Sequence, residues 1–299
     1  MKILVTGRTG QVGWELARSM SVLGEVHALD RASADMTRPD ELAARVRALR
    51  PDVIVNAAAY TAVDRAETET ETALADVVNG EAVGALANAA REMGALFVHY
   101  STDYVFDGTA REPYHEDAAT HPQNAYGRSK LLGEQSVAAS GADYLLFRTT
   151  WVYGARGANF LLTMLRLMRE RTELRVVADQ HGAPTSARFI ADATAHAVRQ
   201  AVIERREGRF ASGLFNLTAD GATTWHGFAQ YILERVRLIG AGELRTERIE
   251  PIATRDYPLP APRPAYSVLD GSRLQGRFGL RRPQWQEGVD LVLDELIRR

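Results

Sequence analysis

The stretch Lys2–Gly13 reads K-I-L-V-T-G-R-T-G-Q-V-G, and it decides the fold. It opens with a short, non-alternating apolar run, which is typical of a strand buried on both faces of a sheet. Gly7, Gly10 and Gly13 follow, at a spacing one residue longer than the G-x-G-x-x-G pattern. Such glycines let the backbone approach a pyrophosphate, and the next helix offers its N-terminal N–H groups. The stretch therefore predicts a strand, a phosphate-binding loop and a helix.

The rest of the first half repeats this alternation. Strands are predicted at Lys2–Thr6, Glu25–Leu29, Asp52–Asn56, Ala95–Tyr100 and Asp143–Arg148. Helices are predicted at Val12–Leu23, Pro39–Arg50, Glu67–Met93 (with a break as an alternative) and Ala125–Ala139. Strands that alternate with helices favour a parallel sheet covered on both faces. We therefore predict an α/β fold with a doubly wound, Rossmann-type parallel sheet.

The second half is less regular. Helices are predicted at Asn159–Arg171, Arg188–Glu207, Trp225–Leu238 and Trp285–Ile297, short strands at Arg175–Val177 and Leu214–Leu217, and an extended segment at Pro258, Pro260, Pro262 and Pro264. We predict a dinucleotide-binding domain over residues 1–153, to which about 186–218 return. A smaller, less regular C-terminal substrate domain takes about 154–185 and 219–299.

Composition narrows the class of protein. The 299 residues are 45% hydrophobic and 25% charged, as in ordinary globular proteins. A net charge of −2 without a basic run argues against nucleic acid as a partner, and no apolar run is long enough to span a membrane. The chain lacks cysteine and begins with a strand rather than a signal peptide. We expect a soluble, cytoplasmic protein without thiolate chemistry.

An acid and two arginines lie near the predicted loop. Asp30 has nearly the spacing of about 20 residues from the first glycine at which an acid bonds the ribose of NAD. Arg31 follows it and Arg8 lies inside the loop, and either guanidinium can pair with the 2′-phosphate of NADP. The acid favours NADH and the arginines favour NADPH, so we predict that both act as cofactors, with NADPH preferred.

The stretch A-Y-G-R-S-K at residues 125–130 carries a second signal. The chain has 36 Lys plus Arg, yet only Lys2 and Lys130 are lysines. Tyr126 and Lys130 are four residues apart, so a helix places them on one face. A nearby ammonium group lowers a tyrosine pKa from about 10 toward working pH, and Tyr126 then becomes a general acid and base. An ordinary surface pair is the alternative for this spacing taken alone.

Thr102 and Asp103 lie just beyond the fourth predicted strand, where open α/β sheets carry their chemistry. Thr102, Tyr126 and Lys130 together resemble the Ser/Thr-Tyr-Lys set of the extended short-chain dehydrogenase/reductase superfamily. The resemblance implies that Thr102 polarises a substrate oxygen and that Tyr126 donates a proton. It also implies that Lys130 holds the nicotinamide ribose and tunes the tyrosine.

Longer motifs narrow the resemblance. They are Asn56–Asp64 (N-A-A-A-Y-T-A-V-D) with Ala66 and Glu67, Ser101–Asp107, Arg148–Tyr153, Asp179–Thr185 and Arg263 with Pro264. With them the chain resembles the dTDP-4-dehydrorhamnose reductase family over nearly its whole length. The loop pattern and its neighbouring arginine already predict cofactor contacts at Gly7, Gly13 and Arg31. The resemblance implies further cofactor contacts at Gly10, Gln11, Val12, Asp30, Asp35, Met36, Ala57, Ala58, Ala59, Tyr126 and Lys130. It implies sugar contacts at Thr102, Asp103, Tyr104, Tyr126 and Trp151.

The implied reaction is reduction of the C4 keto group of dTDP-4-dehydro-L-rhamnose by NAD(P)H. Related dehydratases carry Glu after the Asp of the Thr-Asp pair, whereas this chain has Tyr104, so reduction is favoured over elimination. Another sugar-nucleotide reductase or an epimerase of the same fold is one alternative. A non-catalytic regulatory subunit, resembling the methionine adenosyltransferase β subunit, is the other.

Trp151 and Glu15 each have a functional and a structural interpretation. Trp151 offers a flat face and one N–H donor, which suit a pyranose ring, and a core tryptophan is the alternative. Glu15 coincides with an acidic position that some members of the resembled family use for Mg²⁺ between subunits, and a solvated helix residue is the alternative. The candidate partners are therefore a dTDP-sugar, Mg²⁺ and a second copy of the chain.

Overall fold

The structure, a computed structural model, describes residues 1–240 and 243–297. Its strands are β1 Lys2–Thr6, β2 Glu25–Leu29, β3 Val53–Asn56, β4 Leu96–Thr102, β5 Tyr144–Thr149, β6 Val152–Tyr153, β7 Glu173–Val177, β8 His181–Gly182, β9 Thr185–Ser186, β10 Gly213–Asn216, β11 Thr223–Thr224 and β12 Arg248–Ile252. Its helices are α1 Gln11–Ser19, α2 Pro39–Leu49, α3 Glu69–Asp76, α4 Ala82–Met93, α5 Ala125–Ala139, α6 Phe160–Glu170, α7 Ala187–Arg206, α8 Trp225–Ile239, α9 Ser272–Phe278 and α10 Trp285–Ile297. Residues 241–242 and 298–299 of the predicted C-terminal domain lie outside the described residues.

The central sheet has six strands in the order β10-β5-β4-β3-β1-β2, and every neighbouring pair is parallel. Helices cover both faces: Ile3 packs with Ile190 on one side, and Leu4 packs with Leu86 on the other. Burial on both faces explains why the inner strands β1, β3 and β5 are largely apolar runs, whereas the edge strand β2 is partly exposed. The predicted α/β, doubly wound fold is confirmed.

The strand order reverses direction at β1, with β2 on one side and β3 on the other. In open α/β sheets a crevice forms outside the carboxyl ends of the strands at such a point. Gly7 follows β1 and Ala57–Ala59 follow β3, so both segments border this crevice. Thr102 ends β4, the next strand along the sheet.

The long predicted helix Glu67–Met93 is broken. A π-helical turn at Val77–Glu81 separates α3 from α4, which confirms the alternative with a break. The turn carries the buried Asn79, whose amide bonds both the N–H and the carbonyl of Tyr60 at 2.9 and 3.0 Å and the hydroxyl of Ser129 at 2.9 Å. One amide thus fixes the loop after β3 to helix α5, at the edge of the crevice.

A second apolar core lies among α6, α8, α10 and the parallel pair β7–β12, with Leu161, Phe228 and Val289 in its centre. Strand β12 was not predicted because Pro251 breaks its apolar pattern, which a strand with a single neighbour tolerates. None of the described helices combines the length and apolar character needed to cross a membrane.

Candidate active site

The loop after β1 has no room for side chains at two of its glycines. Gly7 adopts a φ of 74°, and a Cβ there would lie 2.8 Å from backbone atoms of Ala57 and Ala58. A Cβ on Gly13, inside α1, would lie 2.1 Å from the Gly7 carbonyl oxygen. Gly10 closes the turn by donating its N–H to that same carbonyl at 2.9 Å. The loop is therefore compact, and α1 begins beside it without a side-chain cap on its first N–H groups.

A cavity of about 680 Å³ extends from this loop along the carboxyl edge of the sheet. Twelve of the predicted cofactor residues line it: Gly7, Gly10, Gln11, Val12, Arg31, Asp35, Met36, Ala57, Ala58, Ala59, Tyr126 and Lys130. Residues that were not predicted as cofactor contacts complete the wall, among them Tyr60, Arg65, Glu71, Leu74, Val78 and Gly157. A glycine turn at a helix start, small alanines and a volume in the range of ligand pockets fit a dinucleotide.

Asp30 is not among the residues that line this cavity, and it stays a predicted cofactor contact. Its carboxylate accepts hydrogen bonds from the Ser33 hydroxyl at 2.7 Å and the Ser33 N–H at 3.0 Å, and these bonds lower the pKa of Asp30. Asp35 lines the cavity and accepts two hydrogen bonds from Thr37, which likewise lower its pKa. Arg31 also lines the cavity.

We expect Gly7→Ala to lower the free energy of unfolding by more than the ~1–2 kcal/mol of left-handed strain, because the added Cβ also meets backbone atoms. It should also abolish NADPH binding in a titration. Gly208→Ala is the matched control, because Gly208 has a φ of 69° but no atom within 4 Å of its Cβ position. Equal stability loss and intact NADPH binding in both variants would contradict this assignment of the loop.

Thr102 and Asp103 form a buried hydroxyl–carboxylate pair. Asp103 is 2% exposed; one of its oxygens accepts from Thr102 at 3.0 Å and the other from Thr150 at 2.7 Å. Burial raises the pKa of Asp103, and hydrogen bonds from Ser267 and the two threonines act against that rise. Asp103 therefore holds the Thr102 hydroxyl. Neither residue is among those that line the cavity, and both stay predicted sugar contacts.

Tyr126 lines the cavity from the first turn of α5. Its ring meets the edge of Tyr104, with the two centroids 5.7 Å apart. Burial raises the pKa of Tyr126 to about 12, while a hydrogen bond with Thr102 acts in the lowering direction. This direction is opposite to the one predicted from the Tyr126–Lys130 spacing. The reason is that the protein around the phenol disfavours the phenolate, and the Lys130 ammonium group bonds elsewhere.

Lys130 is 2% exposed and lies one helical turn beyond Tyr126. Its ammonium group donates to the Tyr100 carbonyl at 2.6 Å and lies 3.4 Å from Nε2 of His99. Burial lowers the pKa of Lys130 to about 8, and the charge of Glu134 acts in the raising direction. The lysine is thus a buried cation on the cavity wall, and not a surface residue.

Trp151 lies at the rim of the second core, with a left-handed φ of 44°. Its indole stacks on Trp225 with the centroids 3.5 Å apart, and a Cβ on Gly182 would lie 2.4 Å from the same indole. The sequence missed Trp225, because a tryptophan at a helix start reads as an ordinary core residue. Trp151 stays a predicted sugar contact, but its stacked face is already covered.

Glu15 contacts arginines. Its carboxylate lies 2.9 Å from the guanidinium of Arg18 and 3.5 Å from that of Arg188. No group of three or more His, Cys, Asp or Glu side chains able to hold a metal occurs in the part of the chain that the structure describes. The structure therefore gives no support to Glu15 as a magnesium ligand.

Three motif residues fix loops around the site. Asp64 accepts from the Arg263 guanidinium at 2.8 Å and from the Ala261 N–H at 3.2 Å, which ties the proline-rich segment to the loop after β3. Glu67 accepts from the N–H of Ala125 at 2.7 Å, at the start of α5. These contacts give the motif residues a structural role. Asp64 and Arg263 join two loops, and Glu67 holds the start of α5, the helix that carries Tyr126.

Comparison with known proteins assigns the family. The family model "RmlD substrate binding domain" matches residues 1–298. The chain is 58% identical over 298 residues to dTDP-4-dehydrorhamnose reductase of Burkholderia thailandensis, covering 99% of each chain. It is 48% identical over 300 residues to the enzyme of that name from Salmonella typhimurium, covering 99% of this chain and 98% of the other.

Solved structures agree. A dTDP-4-dehydrorhamnose reductase from Clostridium acetobutylicum superposes with a TM-score of 0.88 at 37% identity, covering 99% of both chains. The Bacillus anthracis protein of that name, solved in complex with NADP, gives 0.86 at 32% identity, covering 98% of this chain and 99% of that one. The chain belongs to the dTDP-4-dehydrorhamnose reductase family.

Proposed function

We propose that the protein reduces the C4 keto group of dTDP-4-dehydro-L-rhamnose to give dTDP-L-rhamnose, with NADPH as reductant and Tyr126 as proton donor. The observation that carries the proposal is the single cavity that joins the glycine loop after β1 to Tyr126 and Lys130. The family membership supports the choice of substrate. The Bacillus anthracis complex supports the choice of cofactor.

The chain's own residues bind and orient the reactants. When bound, the reduced nicotinamide supplies the hydride. The Gly7–Gly13 loop and the start of α1 would hold the pyrophosphate, and Asp35 and Met36 would border the adenosine. Lys130 would hold the nicotinamide ribose with an N–H that is not directed at Tyr100.

Tyr126 would supply the proton. A phenol with a pKa of about 12 stays protonated at neutral pH, so it can donate to the oxygen that becomes an alkoxide. Thr102 donates its own hydrogen to Asp103 and accepts the Tyr104 N–H at 3.2 Å. We therefore propose that Thr102 orients the Tyr126 hydroxyl. Polarising the substrate oxygen requires the Thr102 hydroxyl to turn away from Asp103.

Arg31 is proposed to select NADPH. A guanidinium pairs well with a 2′-phosphate, and the neighbouring Asp30 carboxylate is engaged by Ser33. We expect the wild type to use both cofactors with NADPH preferred, and Arg31→Ala to lower kcat/KM for NADPH by about tenfold or more. The value for NADH should stay nearly unchanged. Arg38→Ala is the control, because Arg38 pairs with Glu41 outside the cavity. An NADH preference above about tenfold would refute the assignment.

The two apolar cores support most of the proposed division, 1–153 with about 186–218 for the dinucleotide and about 154–185 with 219–299 for the substrate. Helix α9 departs from it, because Leu274 and Phe278 pack in the first core. Strand β10 pairs with β5, which is consistent with a return of the chain to the first domain.

The function is tested by NADPH oxidation with enzymatically prepared dTDP-4-keto-6-deoxy sugar. Turnover that requires both reactants is the expected result. Tightly bound NAD without net NADPH consumption would favour an epimerase, and no turnover with any keto sugar would favour a regulatory subunit.

A further inference from the structure

A chain of buried polar groups runs behind the cavity, from β1 to α5. The Thr6 hydroxyl donates to the Asn56 amide at 2.5 Å, and that amide lies 3.1 Å from Nδ1 of His99. Nε2 of the same ring lies 3.4 Å from the Lys130 ammonium group. Thr6 and Asn56 are fully buried and His99 is 1% exposed. The proposed mechanism uses Lys130 alone among these residues.

Few groups stabilise the charge of the Lys130 ammonium group. Its polar neighbours are the Tyr100 carbonyl oxygen, which accepts a hydrogen bond, and Nε2 of His99, and both residues are on β4. Glu134, one turn along α5, forms two hydrogen bonds with Arg148 at 2.8 and 2.6 Å, so its charge is already paired. Tyr126 and the exposed Arg128 are the other titratable groups on this part of α5. Neighbouring β3 and the π-helical turn offer the amides of Asn56 and Asn79.

His99 is held as a neutral ring. It stacks on Phe97 with centroids 6.2 Å apart, and α5 packs closely on it, since a Cβ on Gly133 would lie 3.5 Å from Nε2. Burial lowers the pKa of His99 well below its usual value, and the charge of Lys130 acts in the same direction. A neutral imidazole has one donor and one acceptor nitrogen, so its two neighbours decide the tautomer.

The two tautomers match the two charge states of Lys130. While Thr6 donates to the Asn56 oxygen, the Asn56 N–H₂ faces Nδ1, so the ring hydrogen lies on Nε2, which suits a neutral lysine amine. If the Asn56 amide turns over, its oxygen accepts the Nδ1 hydrogen, and Nε2 accepts from the ammonium group. A buried ammonium group without this acceptor loses a large part of what stabilises its charge.

We propose that His99 is a positioning residue for Lys130: its Nε2 accepts a hydrogen bond from the ammonium group, keeps the lysine charged and leaves an N–H directed at the cavity. This tautomer requires the Asn56 amide to turn over, so that its oxygen accepts the Nδ1 hydrogen and its N–H₂ faces the Thr6 hydroxyl, which then acts as the acceptor. The inference rests on the proposed reduction, in which Lys130 holds the cofactor ribose.

The pH profile of kcat provides the first test. Wild-type kcat is expected to fall as pH rises through the pKa of Lys130, about 8, because the charged form is lost. His99→Phe keeps the ring but removes the acceptor, so the alkaline midpoint should move down by about one pH unit, or about tenfold in kcat on that limb. His99→Gln retains an acceptor and should restore most of the wild-type profile.

The control is Thr194→Val, which removes the buried hydrogen bond to the Tyr100 hydroxyl at 2.8 Å on the other face of β4. It should lower stability without moving the alkaline limb. An unshifted limb in His99→Phe, or an equal shift in Thr194→Val, would overturn the proposal.

Nitrogen NMR of the wild-type protein tests the same point. It needs neither an activity assay nor a variant that folds. The chain has only seven histidines, so the His99 ring can be followed individually. At neutral pH, Nδ1 should carry the hydrogen and Nε2 should be unprotonated. A hydrogen on Nε2 at that pH would overturn the inference. If no keto sugar is reduced but Nε2 is unprotonated, the proposed function fails and the contact between His99 and Lys130 stands.

Discussion

Replacing Tyr126 with phenylalanine is expected to lower kcat by roughly 10²–10⁴-fold, the usual contribution of general acid–base catalysis. The substitution keeps the ring and its edge contact with Tyr104, and it removes the proton that the alkoxide needs. NADPH binding, measured by titration, should change little.

Tyr100→Phe is the matched control for this experiment. The Tyr100 hydroxyl bonds Thr194 away from Lys130, so its loss should reduce stability by about 1 kcal/mol without a comparable loss of kcat. A Tyr126→Phe enzyme that retains most of the wild-type kcat would remove Tyr126 from the mechanism.

Removing the nucleotide from the substrate is expected to lower kcat/KM by at least about 10³-fold, or ~4 kcal/mol. Binding energy from the remote nucleotide holds the reacting carbon in place, so its loss reduces kcat as well as affinity. The measurement compares the free 4-keto-6-deoxy sugar with its dTDP derivative. If both are reduced equally well, a reductase of small carbonyl compounds is the better interpretation.

Trp151→Ala complements that comparison. Trp151 stacks on Trp225 at the rim of the second core, so its loss should weaken use of the dTDP-sugar. Binding of NADPH alone should be unaffected, because Trp151 does not line the cavity that the glycine loop borders.

The sequence predicted the sheet well because its strands are buried on both faces. Such strands are largely apolar runs, and their parallel pairing was predicted from the alternation with helices. The short strands β6, β8, β9 and β11 span two residues each and carry no pattern to detect. The proline in β12 concealed that strand for a different reason, since pairing on one side alone tolerates a residue without an N–H.

The site was predicted less completely than the fold. Residue type and spacing were enough to predict several site residues that line one cavity: Gly7, Gly10, Ala57–Ala59, Tyr126 and Lys130. The pKa of Tyr126 was predicted in the wrong direction, because burial depends on tertiary packing that helical spacing does not reveal. His99 was missed, although a histidine within the apolar run of β4 is a signal that could have been used.

The most direct test of the proposed reduction uses NADPH carrying deuterium at the transferable position of the nicotinamide, with dTDP-4-dehydro-L-rhamnose as substrate. Product analysis by NMR is expected to show dTDP-L-rhamnose with one deuterium at C4 for each NADPH consumed. Deuterium at another carbon, or an epimerised keto sugar without deuterium, would contradict the assignment of the protein as a C4 reductase.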